Sequence, residues 1–217
     1  MAPRETVGLR KKNAGVRKRG KERRELLIKA AYDLLCEQPV EEIAFIDIAR
    51  RANIPEGSAY HFFSNKFDVF SALAEELTNH FIKALKKPFK KGEIMSWQQL
   101  ADEFVNRGVR VYRKHPPASK LFLGGKTPAE IKMQDRINDR AVADAMLEVL
   151  ESLFHIPEEA DMQKVLYYFI EITDLMLSLS ILEYGKLKPL MIEEARRAGK
   201  GYLGVYLSES LSLKTTA

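Results

Sequence analysis

The residues with most capacity for chemistry gather towards the N-terminal end of the chain. Residues 1–24 hold ten basic residues and two acids, a net +8. The other 193 residues of the 217 hold 25 bases and 28 acids, a net −3. Guanidinium and ammonium groups at that density neutralise a polyanion and release its counterions. Lys18, Arg19, Lys21, Arg23 and Arg24 close the basic segment and are expected to meet the backbone or minor groove of DNA. Residues 46–63, IDIARRANIPEGSAYHFF, offer a different chemistry. Glu56, Ser58 and His61 can exchange hydrogen bonds with base edges, and Gly57 lets the backbone approach closely. Tyr60 offers a hydroxyl to a phosphate while its ring packs. Lys66 and the backbone N–H groups beside it are placed for another phosphate.

These side chains need short helices set at a fixed angle. Leu27, Ala30, Ala31, Leu34 and Leu35 repeat at the three/four spacing of one helix face, and Pro39 ends that helix. Ile48, Ala49 and Ala52 share one side of a short helix, and Ala49 is small enough for another helix to cross it. Asn53 falls where a tight turn demands positive φ, which Asn tolerates best after Gly. Ile54 anchors the turn. A second short helix follows, with Ala59 and Phe62 available to pack inward. This is the pattern of a helix-turn-helix, whose second helix enters the major groove.

From Arg23 to about Leu77 the chain resembles the DNA-binding domain of the TetR (tetracycline repressor) family of bacterial regulators. ELLIKAAYDLL matches its first helix, IDIARRANI its second, and PEGSAYHFFSNKFDVF its third helix and the start of the fourth. Tyr60, Phe63 and Lys66 fall on the family's Tyr-x-x-Phe-x-x-Lys signature. Three residues depart from the pattern. Pro39 stands for a Gly after the first helix, Asn53 for the turn Gly, and Pro55 for a Ser or Thr that would cap the recognition helix. The resemblance implies a homodimeric, cytoplasmic bacterial regulator that associates with the nucleoid when bound. It also implies a palindromic operator, a C-terminal domain that takes a small molecule, and repression relieved by that molecule. Residues 25–70 carry a net −4, so the basic segment must supply much of the attraction for DNA.

The expected fold is therefore all-α, with about nine helices and no competing β-pattern. A flexible basic arm spans 1–22, a three-helix helix-turn-helix domain 23–66, and a helical effector-binding and dimerisation domain 67–217. Thr127-Pro128-Ala129-Glu130 and Pro157-Glu158-Glu159 read as helix starts. Phe104, Tyr112, Phe122, Met133, Ile137, Phe169 and Met176 are expected to line a pocket for an apolar or amphipathic effector. The last two helices, about 158–184 and 189–211, are candidates for a dimer interface at Gly201, Tyr202, Val205 and Tyr206, and the resemblance implies that they pair with their copies.

Other chemistry finds little support. The four histidines lie far apart in sequence, so no metal site is expected, nor a cofactor. Gly125-Lys126-Thr127 echoes a phosphate-binding loop but lacks its first Gly and its strand. Cys36 reads as a buried structural thiol in a reducing compartment. No apolar run approaches the length of a membrane span, and the basic segment lacks the apolar stretch of a secretory signal. An architectural DNA-binding protein without a ligand, and a helical cytosolic enzyme, are the alternative readings of the same residues.

Overall fold

The computed structural model describes the backbone of residues 5–125, 127–156 and 160–214, with side chains from residue 18 onward. Nine α-helices and no strand occur among them. In order they are α1 (Glu5–Glu37), α2 (Phe45–Arg51), α3 (Glu56–Ala59), α4 (Lys66–Leu85), α5 (Trp97–Lys114), α6 (Pro116–Phe122), α7 (Ala129–Leu153), α8 (Met162–Tyr184) and α9 (Pro189–Leu203). A 3-10 turn, Val40–Glu42, links α1 to α2. The chain divides into two compact units, Met1–Leu73 and Ala74–Ala217. The boundary falls inside α4, where Val69 and Phe70 of its first turns are fully buried.

The core of the first unit is the predicted stripe. Leu27, Ala31 and Leu35 of α1, Ile48 of α2 and Ala59 of α3 are completely buried. Burying one such Leu or Ile stabilises by about 1.5–3 kcal/mol. Cys36 is exposed rather than buried, since Leu34 and Leu35 take the inward positions of that turn. The backbone of residues 5–22, expected as a flexible arm, is helical and continuous with the first helix. Lys and Arg are good helix formers, and no proline interrupts α1.

In the second unit α8 packs against α7 and α9, and α9 also meets α5. A helix of 23 residues with a mean hydropathy of 1.6 over its apolar window, α8 reaches span length, contrary to the sequence expectation. It is a packed helix of this unit, with Phe169, Thr173 and Leu177 buried. Gly199 of α9 lies so close to α8 that a Cβ there would stand 2.5 Å from Cε2 of Phe169. Gly201, expected at a close approach, has nothing within 4 Å of the same position.

Two other local features set the frame. The buried Arg107 guanidinium donates to the carbonyls of Ala84, Leu85 and Lys87, closing the end of α4, and stacks 3.9 Å from the Phe89 ring centre. α9 ends at Leu203, short of the expected residue 211. The chain then crosses to the start of α5, where the Trp97 indole N–H donates to the Ser208 carbonyl at 2.9 Å. The Thr127 hydroxyl donates to Lys120 and Gly124 carbonyls instead of capping α7, whose N-cap is Pro128. The Pro157-Glu158-Glu159 helix start and Lys126 lie outside the described residues.

Candidate nucleic-acid interface and cavity

The turn between α2 and α3 has the geometry its residues require. Asn53 adopts φ 53°, the one non-glycine in the left-handed region among the described residues. Its N–H donates to the Arg50 carbonyl at 3.1 Å, and the Ile54 N–H reaches back to Ala49 at 3.0 Å. Ile54 is buried beneath the turn. Arg51 clasps Glu37 through two hydrogen bonds of 2.9 and 2.6 Å, tying the end of α2 to the end of α1. Pro55 starts α3 without a side-chain cap, and its carbonyl accepts from Ser58 and Ala59.

This scaffold turns Glu56, Gly57, Tyr60 and His61 to solvent and leaves Ser58 half-buried, while Ala59 and Phe63 face the core. The Tyr60 ring rests 4.6 Å from that of Phe45 and stays 51% exposed. Lys18, Arg19, Lys21, Arg23 and Arg24 are exposed along α1. The guanidinium of Arg24 sits 4.9 Å from the ring centre of Phe63, and Lys21 lies 3.8 Å from the Glu25 carboxylate. Such an exposed ion pair contributes little and leaves the lysine available to a stronger anion.

Lys66 is also tied to the preceding turn. Its ammonium donates to the carbonyl of Ile43 at 2.8 Å and of Val40 at 3.4 Å. The N–H groups of Phe67 and Asp68 donate to Oδ1 of Asn65, and Asp68 accepts from Ser64. Two of the three ammonium donors and two backbone N–H groups are thus engaged within the protein, and the third ammonium donor stays open to a phosphate. The carbonyls beside the 3-10 turn lie within reach of the lysine and need donors of their own. Lys66 is a positioning residue that ties this turn to α4.

The second unit holds a partly open cavity of about 60 Å³ between α4, α5, α7 and α8, with Phe122 of α6 at one side. Phe81 meets Tyr112 edge-on at 4.9 Å and Phe122 at 6.1 Å, forming an aromatic wall. Of the expected pocket residues, Phe104, Tyr112, Phe122 and Phe169 line it. Met133 and Ile137 do not, being 67% and 60% exposed. The inward face of α7 carries Asp135, Asp139, Val142 and Met146 at the four/three spacing. Residues two positions from those lie about 200° round the helix. Met176 is half-buried and off the lining.

Asp135, Asp139 and Asp174 were not foreseen in the pocket. They line the cavity together, and Tyr112 Oη donates to Asp174 Oδ2 at 2.7 Å. Burial raises the Asp174 carboxyl to about 7, against the lowering effect of that hydrogen bond. Burial also raises Asp135 and Asp139, with repulsion among the carboxylates adding to it. Sequence separation hid this grouping, since Asp174 comes from a different helix. His80 and His115 likewise stack at 4.3 Å despite their distance in sequence, but no group of three metal-binding side chains exists among the described residues.

Comparison with known proteins resolves the class. Residues 27–73 match the family described as bacterial regulatory proteins, tetR family. Residues 95–205, just over half of the chain, match the tetracyclin repressor-like C-terminal domain. This chain belongs to the TetR family. The fold agrees with a TetR-family regulator from Streptomyces coelicolor at a TM-score of 0.68 and 22% identity, covering 85% of this chain and 99% of that one. A TetR regulator from Rhodococcus sp. RHA1 gives 0.65 at 21% identity, covering 86% and 97%. The transcriptional regulator AcuR of Cereibacter sphaeroides is 34% identical over 68 residues, and the match spans only 31% of each chain. The TetR-family chain is thus a DNA-binding regulator of transcription.

The positions expected at a TetR dimer interface are open to solvent. Gly201, Val205 and Tyr206 are exposed and Tyr202 is half-buried, with its ring 5.4 Å from that of Tyr206. Val205 and Tyr206 lie just past the end of α9. Tyr168, Leu175 and Leu182 of α8 form an exposed apolar line at seven-residue spacing, a signal present in the sequence but not singled out there.

Proposed function

We propose that this chain is a ligand-controlled repressor that binds a palindromic operator as a homodimer in the bacterial cytoplasm, joining the nucleoid when bound. Each copy would lay α3 into the major groove, the two helices about 34 Å apart. Glu56, Ser58 and His61 are the base-reading candidates and Tyr60 a phosphate contact. Lys18, Arg19, Lys21, Arg23 and Arg24 supply sequence-independent attraction. The exposed apolar line on α8, with Gly201, Tyr202, Val205 and Tyr206, supports pairing through the last two helices.

The observation that carries ligand control is the cavity, which lies wholly within the second unit. A molecule bound there changes DNA affinity only if it favours one dimer conformation over another. A compound library screened by thermal shift tests this. Compounds that stabilise the wild type but not Phe122→Trp, which fills the cavity, are expected to weaken operator binding. Cavity binders that leave operator affinity unchanged would contradict ligand control.

A further inference from the structure

We propose that the molecule taken by this cavity is an organic cation with an apolar body, its positive charge held by Asp135, Asp139 and Asp174 and its body against the aromatic wall. This inference deepens the effector reading and rests on it. The first support is the sign of the lining. Three carboxyl groups border the cavity, and no Lys, Arg or His does. The nearest cations stand outside: Lys132 and Arg136 are exposed on α7, and Arg136 Nε lies 3.3 Å from Glu171.

The second support is missing partners. Asp174 has Tyr112, but Asp135 and Asp139 accept no hydrogen bond from a described residue. Both carboxyl groups are half-buried and leave acceptor positions that a cation can use. Both residues line the cavity. The third support is the wall itself. Phe81, Tyr112 and Phe122 present π-systems within the same space, and aromatic faces attract organic cations. Part of the trio holds protons at neutral pH, so a bound cation must displace them. The cavity of about 60 Å³ is smaller than such a ligand, so entry requires side chains to move. Met146, with its flexible thioether, is suited to that.

The test uses three compounds of one shape: benzyltrimethylammonium, its neutral carbon isostere neopentylbenzene, and benzylsulfonate. Calorimetry on the full chain at pH 7 is expected to rank the cation about tenfold or more above the neutral compound, with the anion unbound. Cation binding is expected to release protons, read as a dependence of the heat on buffer ionisation. Asp139→Asn should weaken the cation about tenfold and leave the neutral isostere unchanged. Asp135→Asn repeats the measurement, and circular dichroism confirms that each variant is folded. Phe122→Trp should weaken both bound compounds. Equal or tighter binding of the neutral isostere, unaffected by either Asn variant, would overturn the cation assignment while the effector site stands. Binding of none of the three at millimolar concentration would overturn the assignment together with the effector reading.

Discussion

Tyr112 of α5 and Asp174 of α8 join two helices across the wall of the cavity through a 2.7 Å hydrogen bond from hydroxyl to carboxylate. Tyr112→Phe removes the donor and leaves Asp174 buried without it. Above pH 7, where Asp174 ionises, the loss should be about 1.5–3 kcal/mol, as for a hydrogen bond to a charged group. At pH 5.5, with the carboxyl protonated, the loss should be smaller. Urea denaturation of both proteins at the two pH values checks this, and equal losses would mean that the bond is not charge-assisted.

The acidic trio also fixes how stability should vary with pH. Asp135, Asp139 and Asp174 all titrate above their ordinary range, so the folded protein holds more protons than the unfolded chain. Their contribution is full below the unfolded pKa of about 4 and is lost as pH rises through the folded values. Glu171, Lys132 and Arg136 act on the same groups but do not reverse the direction. Melting temperature should therefore fall between pH 5 and pH 9. Asp139→Asn should flatten that fall and stabilise the protein by more than about 1 kcal/mol at pH 8.5. A rise in stability over this range would contradict the placement of the trio.

Gly199 and Phe169 test the packing behind the cavity. An added methyl at Gly199 would overlap the Phe169 ring and press on Thr173 Cγ2 at 3.0 Å. Gly199→Ala is expected to destabilise by about 1–3 kcal/mol despite the better helix propensity of Ala. A gain in thermal stability would show that α8 and α9 are not this close.

Lys66 separates positioning from contact. Lys66→Met loses the bonds to Ile43 and Val40, and should destabilise the first unit by about 1–2 kcal/mol. The salt dependence of DNA binding should keep its slope, because the ammonium is engaged with those carbonyls. Arg23→Ala with Lys18→Ala should lower the slope without altering stability. A reduced slope for Lys66→Met would show that its third donor meets a phosphate.

The helix-turn-helix was legible because local rules determine it. The apolar spacing of Leu27 to Leu35, the positive φ at Asn53 and the small Ala49 each act within a few residues. The cavity was only half legible. Aromatic residues such as Phe104 and Tyr112 announce burial, but Met133 and Ile137 show that an apolar residue on a helix need not face inward. Asp135, Asp139 and Asp174 read as solvated charges until α7 and α8 are docked, since only tertiary packing brings them together. Lys66 matched a family signature, and its commitment to loop carbonyls depends on the path of the preceding turn.

In the proposed regulator, α3 of each copy reads one half of a palindromic site. Selection of bound duplexes from a randomised pool, run with the wild type and with His61→Ala, tests it most directly. The wild type is expected to select an inverted repeat with half-sites about one helical turn apart. His61→Ala is expected to change the base preference at one symmetric pair of positions. No enriched repeat, or an identical motif recovered with the variant at uniformly lower affinity, would contradict base reading by this helix.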